Sequence, residues 1–399
     1  MPNTQFELKN LNRRAVLKFI RKQQEVTKAD IAKVTGLTTM AIHKIVTELE
    51  TLGMIRKGSL RTGGVGRSAV TYTIDESYKY SIGIHINVYR TTVAVVNLKG
   101  TILAKESIKI HNDSVQTFID ALVASIEKML ATAEIDRSEV VGIGIGAPGP
   151  VDVSQGMILT PPNFPLLEYL PIEQILASRT KLPVYLAKDA NAIALGVFWH
   201  GDHLECDDLL YIDIDMGIGA GLVIDGRIRK GFTESAGEIG HMIISPDGPR
   251  CNCGNRGCLE AVASGLALVR DFSAYLARHS DHPLYPNRSS LGIEDLLGAL
   301  AKHDVAALDF INQSAYYTGL VVRNLLNALD PSLIVLGGMI VTGYPHYVKI
   351  VEDVAHGHQM RGSRVQDTIT TELHSDMGVI GAATVVADHF FEEIVLRES

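Results

Sequence analysis

Residues 237–260 read GEIGHMIISPDGPRCNCGNRGCLE. Three of the chain's four cysteines, Cys251, Cys253 and Cys258, fall within eight residues, and His241 stands ten residues before the first of them. Cys-x-Cys-x4-Cys with an upstream His offers one imidazole nitrogen and three thiolates, a complete tetrahedral donor set for zinc. With all four places taken by protein there is no open position, so the expected metal is structural. Gly254 and Gly257 suit the tight backbone such ligation needs. The competing reading is a redox cysteine cluster. Glu238 and Glu260 flank the metal set, and carboxylates at such places give strong charge-assisted bonds to a polyhydroxylated ligand. Support of the metal site is their alternative role. Cys206 stands apart and reads as an inert thiol.

On either side of this segment the chain alternates strands and helices. LLYIDIDMGIGAGLVIDGRI (209–228) is a strand–loop–strand with an Asp-Gly turn. An earlier stretch, SIGIHINVYRTTVAVVNLKGTILAKESIKI (81–110), has the same character, with a Lys99-Gly100 turn and a third strand. A helix is expected over roughly 114–133. VVGIGIGAPGPVD (140–152) is an apolar strand, KLPVYLAKDANAIALGVF (181–198) a strand running into a helix, and DPSLIVLGGMI (330–340) a strand ending at Gly337-Gly338. Two such openings, each followed by helices, predict two α/β lobes with a cleft between them.

The 399 residues carry a net charge of −8, unevenly distributed. Residues 1–77 hold 13 basic against 7 acidic side chains, a net of +6, and the remainder 24 against 38, a net of −14. A basic head on an acidic body points to an anionic partner for the head alone. No apolar run approaches a membrane span and the N-terminus has no signal-peptide core, so no membrane insertion and a cytoplasmic location are expected.

Within the head, residues 8–23 place Leu11, Ala15, Val16, Phe19 and Ile20 on one helical stripe and Arg13, Arg14, Lys18, Arg21 and Lys22 opposite. Thr27 with Asp30 forms a capping box for a second helix that ends at Gly36. Thr38 starts a third helix whose Ile42, Val46, Leu49 and Leu52 face inward. Helix–turn–helix in this form lays the third helix in the major groove N-terminus first. Thr38, Thr39, Met40, His43 and Lys44 are then the candidate DNA contacts. After Gly53 the period becomes two, a β-hairpin wing whose glycine-rich tip carries Arg61 and Arg67, suited to a narrow minor groove.

These residues together resemble the ROK family, of the actin/hexokinase-like fold, and specifically its winged helix-turn-helix transcriptional repressors, among them those responsive to xylose, N-acetylglucosamine and glucose. The segment AGEIGH followed by CNCGNRGCLE carries the resemblance most specifically, and GGVGRSA in the wing is similar to the family's G-x-x-G-R-P-A with Ser68 for proline. The fold class implied is α/β, an N-terminal winged helix-turn-helix (1–77) before a two-lobed ROK domain (78–399), the lobes being roughly 78–200 with 378–399, and 201–377. The resemblance implies a sugar pocket lined by Gly149, Asn163, Asp189, Glu238, His241 and Glu260. In the family's kinases the position of Asp189 is the catalytic base; here it is expected to act as a hydrogen-bond acceptor, with a helix N-cap as its alternative. Lys188 departs from the Asn usual beside it. His241 has two ring nitrogens, one for metal and one for a hydroxyl or carboxylate.

The kinase phosphate loops are altered. The first, Asp-x-Gly-Gly-Thr in the kinases, is His85-Ile86-Asn87-Val88-Tyr89 here, and the second, Gly-Thr-Gly-x-Gly, is Asp215-Met216-Gly217-Ile218-Gly219. Side chains at Val88 and Tyr89 obstruct backbone approach to phosphate. At an effective dielectric of about 20, Asp215 roughly 4 Å from a phosphate charge costs on the order of 4 kcal/mol. The expectation is a non-enzymatic repressor of carbohydrate-utilisation genes, a homodimer or homotetramer on operator DNA, controlled by a monosaccharide or derivative in the cleft. The alternatives are control by a protein component of the sugar phosphotransferase system and a ROK sugar kinase with retained activity.

Overall fold

The computed structural model describes the chain apart from residues 1–4, 62–67, 88–89, 110–113, 162–163, 202–205, 358–368, 372–375 and 398–399, and apart from the side chains of 5–8, 165 and 393–397. It divides into two compact units, Met1–Glu205 with Asp376–Ser399, and Cys206–Ser375. Among the described residues no helix is long and apolar enough to cross a membrane.

The first unit opens with α1 (Gln5–Gln23), β1 (Val26–Thr27), α2 (Lys28–Thr35), α3 (Thr39–Thr51), β2 (Ile55–Arg61) and β3 (Ala69–Ile74). The Thr27 side chain accepts from the Asp30 backbone N–H and the Asp30 carboxylate accepts from the Thr27 N–H, closing the capping box. Gly36 ends α2 in the left-handed conformation. The strands β2 and β3 are antiparallel, and β1 adds a third strand that the period-two pattern did not reveal. Val16, Leu17, Ile20, Ile31, Ile42, Val46 and Leu49 form the core of this head.

The stripe expected on α1 is rotated. Leu11 and Ala15 are exposed, while Arg13, Arg21 and Lys22, assigned to the solvated face, are buried. The helix packs on two sides: one against α2, α3 and β3, the other against the C-terminal helix (Met377–Arg397). A residue pattern with basic side chains on the second contact face therefore looks amphipathic in isolation without being so in place.

The rest of the first unit contains β4 (Tyr80–Ile86), β5 (Thr91–Asn97), β6 (Ile102–Ile108), α4 (Val115–Ala133), β7 (Val140–Ala147), the short β8 (Val151–Asp152) and β9 (Met157–Ile158), α5 (Ile172–Thr180), β10 (Val184–Lys188) and α6 (Asp189–His200). The sheet runs β10-β7-β4-β5-β6, with β4, β5 and β6 antiparallel and β4, β7 and β10 parallel. Ile143, Ile145 and Ala147 of β7 face the core that α4 and α5 cover. The C-terminal helix lies close against the other face: a Cβ on Gly144 would sit 1.8 Å from the Ala382 carbonyl oxygen, and one on Gly83 of β4 2.1 Å from that of Val379. The same helix packs on α6, where a Cβ on Gly196 would lie 2.8 Å from Gly381 Cα.

The second unit repeats the pattern. Its strands β11 (Leu209–Ile214), β12 (Ile218–Ile224) and β13 (Arg227–Ile228) are antiparallel, and β14 (Leu333–Gly337) and β15 (Ile369–Thr371) run parallel to β11, in the order β13-β12-β11-β14-β15. Between β13 and β14 come the cysteine segment, α7 (Leu259–Ala263), α8 (Gly265–Leu276), α9 (Ile293–Ala301) and α10 (Val305–Leu329); α11 (Met339–Gly343) and α12 (His346–His356) follow β14. Tyr347 of α12 is fully buried, and its hydroxyl is satisfied by Ser314 and Thr318 of α10 at 2.9 and 2.7 Å.

Candidate functional site

In the second unit, the chain after β13 folds through a short 3-10 turn (Ile239–His241) and returns on itself, so that Ile243 pairs with Cys258 and Arg250 with Arg256. The return is tight. Gly254 has φ +94°, and a Cβ on Gly257 would stand 1.5 Å from the Ser245 carbonyl oxygen. Folding of this loop brings together the four residues expected to bind metal: the donor atoms of His241, Cys251, Cys253 and Cys258 all lie within 4.8 Å of one another. His241 Nδ1 is 3.6 Å from Cys251 Sγ, and the sulfurs of Cys253 and Cys258 are 3.6 Å apart. A tetrahedral zinc site with Zn–S near 2.3 Å has donor–donor edges of about 3.8 Å. The donors are thus already close to the spacing a metal requires. Burial pushes the Cys258 thiol up to about 12 and raises Cys251, while the Asn255 backbone N–H lowers Cys253. A cation among the sulfurs would favour the thiolates that burial of Cys251 and Cys258 disfavours.

With Nδ1 turned to the cysteines, His241 Nε2 lies 3.9 Å from Glu238 Oε2. The second carboxylate, Glu260 at the start of α7, accepts from the Ile218 N–H at 3.1 Å. It crosses over Gly217, where a Cβ would stand 2.9 Å from Glu260 Oε2. Glu260 is therefore tied to the loop joining β11 to β12, and Glu238 stands beside the metal ligand.

That loop begins with Asp215, whose Oδ1 accepts from the Met216 N–H at 2.6 Å, and the Met339 N–H at the start of α11 also donates to this carboxylate. Burial raises its pKa and the two backbone donors act against the rise. The side chain thus occupies backbone donors at the carboxyl ends of β11 and β14.

In the first unit the candidate residues lie at the carboxyl ends of neighbouring parallel strands, where open α/β sheets bind ligands. Gly149 follows β7, and a Cβ there would lie 3.4 Å from Lys188 Cδ. Asp189 follows β10 as the first residue of α6, its Oδ1 accepting from the Ala190 N–H at 2.7 Å. Asn163 lies outside the described residues. Asn191 is a residue the sequence reading left without a role. It is buried, and its Oδ1 has no hydrogen-bond partner among the described residues, an acceptor that a ligand hydroxyl would satisfy. Its place two residues after Asp189 was the available signal. At the altered slot after β4, Asn87 Oδ1 accepts from the Arg90 N–H at 3.1 Å, and the Asn87 N–H bonds the Arg90 carbonyl. His85 packs against Gly378, where a Cβ would be 2.4 Å from its Nδ1, and burial lowers its pKa to about 4. Val88 and Tyr89 lie outside the described residues.

On the head, Thr39, Met40, His43 and Lys44 are exposed on the first turns of α3, Met40 by 79%. Thr38 is exposed too and caps the helix, accepting from the Ala41 N–H at 3.3 Å. His43 Nδ1 is 2.9 Å from Lys28 Nζ. Arg61 is engaged within the head: Nη1 pairs with Asp30 at 3.0 Å and Nη2 donates to the Glu25 carbonyl. It braces the wing against the capping box of α2. Arg67 lies outside the described residues.

A helix-turn-helix with a hairpin wing, ahead of two sheets of one topology with a Cys/His cluster, defines a class of protein. Residues 9–56 match the winged helix-turn-helix DNA-binding family, and residues 81–389 match the ROK family. The chain belongs to the ROK family. It is 25% identical over 390 residues to the xylose repressor of Bacillus subtilis (strain 168), covering 98% of each chain. It is 32% identical over 319 residues to the glucokinase of Halalkalibacterium halodurans, covering 78% of this chain and 96% of that one. The crystal structure of a ROK family transcriptional regulator, a homolog of the E. coli MLC protein, superposes with a TM-score of 0.78 at 28% identity and covers 98% of both chains.

Proposed function

We propose that this protein is a DNA-binding transcriptional repressor of carbohydrate-utilisation genes whose hold on its operator is set by a monosaccharide or a derivative of one. The observation that carries this reading is the conjunction of a recognition helix that exposes His43 and Lys44 with a sugar-type donor set. Thr39, Met40, His43 and Lys44 are free of the head's core, while Asp189 and Glu260 are held by backbone N–H groups and Glu238 stands beside His241. Similarity to a xylose repressor along 98% of both chains supports the same reading. Gly149, Asn163, Asp189 and the buried Asn191 would take sugar hydroxyls in the first unit; Glu238, His241 and Glu260 would do so in the second.

The metal is zinc in this reading, held by His241 Nδ1 and the three sulfurs, and it fixes the loop that aims Glu238. Four protein donors leave it no catalytic position. Phosphoryl transfer is lost. The Asp215 carboxylate takes backbone N–H groups that a phosphate would need, and at the other loop the Asn87 side chain takes the Arg90 N–H. Two heads of a dimer would read two half-sites in the cytoplasm, and Arg67 at the wing tip would enter the minor groove.

A thermal-shift panel of D-xylose, D-glucose, N-acetyl-D-glucosamine and their phosphates tests the pocket, with ATP and each sugar assayed in parallel for sugar phosphate. A rise in Tm with at least one sugar and no product above the blank is expected. Product formation would establish a kinase instead, and no shift with any sugar would favour control by a protein partner.

A further inference from the structure

The last turn of α1 carries two cations that do not reach solvent. Arg21 and Lys22 are each 7% exposed. Arg21 Nη1 pairs with Asp388 of the C-terminal helix at 2.8 Å. Its guanidinium carbon stands 4.0 Å from the ring centre of Trp199 and 4.8 Å from that of Phe391. Its Nε and Nη2 have no hydrogen-bond partner among the described residues. Lys22 Nζ donates to the Phe198 carbonyl at 2.9 Å and lies 3.2 Å from the centre of the Phe198 ring. That carbonyl belongs to the last turn of α6, where no helical N–H remains to satisfy it and the helix dipole favours a cation.

The helix so clamped is a rigid element. All ten residues from Ala190 to Trp199 are buried, so every face of α6 is packed. Gly196 and Gly381 bring it into backbone contact with the C-terminal helix, and His200 Nε2 is 3.1 Å from Thr384 Oγ1 on that same helix. At 1.5 Å per residue its ends stand roughly 16 Å apart. One end begins with Asp189 beside the unpartnered Asn191 carbonyl, and the other is held by the head.

We infer that Arg21 and Lys22 are positioning residues that tie the orientation of the DNA head to α6, so that a ligand bonded to Asp189 at one end of that helix is sensed by the head at the other. The inference rests on the reading of Asp189 as a ligand acceptor. The chemistry of the clamp suits a contact that changes state. A buried guanidinium with one carboxylate and two aromatic faces, and two nitrogens unbonded, loses much of its hydration without full replacement. The cation–π contacts are directional and return part of that loss only in this arrangement. A modest displacement of Trp199 therefore alters the balance, and a ligand that prefers one position of α6 shifts the head with it.

Trp199 is the only tryptophan of the chain, so its emission reports this contact without labelling. The full-length protein is compared with Arg21→Ala, Arg21→Lys and Lys22→Met by tryptophan emission and by hydrogen–deuterium exchange. Arg21→Ala is expected to shift the emission and to raise exchange about fivefold at the amides of residues 192–195, which close the first turn of α6 far from the substitution. Arg21→Lys, which keeps the charge but not the planar guanidinium stacked between the rings, is expected to fall between Arg21→Ala and the wild type. Lys22→Met gives the same readout should Arg21→Ala not fold. A change confined to residues 17–25, 196–201 and 385–391 overturns the link. If residues 192–195 respond and no sugar raises Tm, the ligand reading fails and the link stands; the reverse pair of results removes the link and leaves the ligand reading.

Discussion

His241 faces Glu238 across 3.9 Å with the nitrogen that is not turned toward the cysteines. One ring thereby joins a metal-type donor set to a carboxylate suited to a sugar hydroxyl. Removing either partner should have separable consequences.

Cys253→Ser removes one of four donors from a loop otherwise held by its own backbone hydrogen bonds, among them Cys251 N–H to the Asn255 carbonyl and Gly257 N–H to the Pro249 carbonyl. The bound metal should be lost, and stability should fall by about 3 kcal/mol, roughly 5–10 °C in Tm. Metal analysis and a melting curve on the same preparation check both. An unchanged Tm after loss of the metal would show that the site does not brace the fold.

Glu238→Gln keeps the shape and removes the charge. Losing one charge-assisted hydrogen bond of about 1.5 kcal/mol should weaken sugar binding about tenfold in calorimetry. Metal content should stay at the wild-type value. Loss of the metal instead would make Glu238 a support of the cluster.

Gly144→Ala sets a methyl group 1.8 Å from the Ala382 carbonyl oxygen, backbone against strand, with no side chain to yield. A loss on the order of 3 kcal/mol or more is expected in denaturant titration. Gly254→Ala is the control. Its Cβ meets nothing within 4 Å and its φ of +94° is the sole obstacle, so the cost should be about 1 kcal/mol.

Much of this architecture was legible in the sequence. Thr27, Asp30, Gly36 and Thr38 marked the helix ends of the head because capping chemistry is local. The Cys-x-Cys-x4-Cys spacing marked the cluster because one short loop supplies every ligand but His241. What was not legible depends on distant partners. Gly142, Gly144 and Gly146 alternate visibly in GIGIGA, yet their reasons lie elsewhere in the chain: the Pro183 carbonyl and Val386 crowd Gly142, Ala382 of the C-terminal helix crowds Gly144, and Ala192 of α6 stands nearest Gly146. Arg21 and Lys22 have the charge of a solvated face, and their burial is decided by Trp199, Phe198 and Asp388. Arg61 has the charge of a DNA contact and is drawn to Asp30. Long-range ion pairs and cation–π contacts leave no periodic trace.

Burial holds His85 at about 4 and His200 at about 3, against an ordinary value near 6.5. Both folded values are depressed, so below pH 6.5 the unfolded chain binds more protons than the folded one. The stability these neutral rings contribute is complete above pH 6.5 and is lost as pH falls toward 4, by at most about 1.4 kcal/mol per pH unit for each ring. Tm measured from pH 7.5 to 5 should decline, and His200→Gln should flatten the decline. An equal slope in that variant would assign the acid sensitivity to other groups, the metal ligands included.

The central claim is that sugar occupancy sets operator affinity. Duplexes selected from a random pool by the full-length protein supply the DNA, and fluorescence anisotropy at fixed salt measures its binding with and without the sugar that raises Tm. The account predicts a change in Kd of at least about tenfold, a coupling of about 1.4 kcal/mol. Identical binding curves at saturating sugar would contradict it.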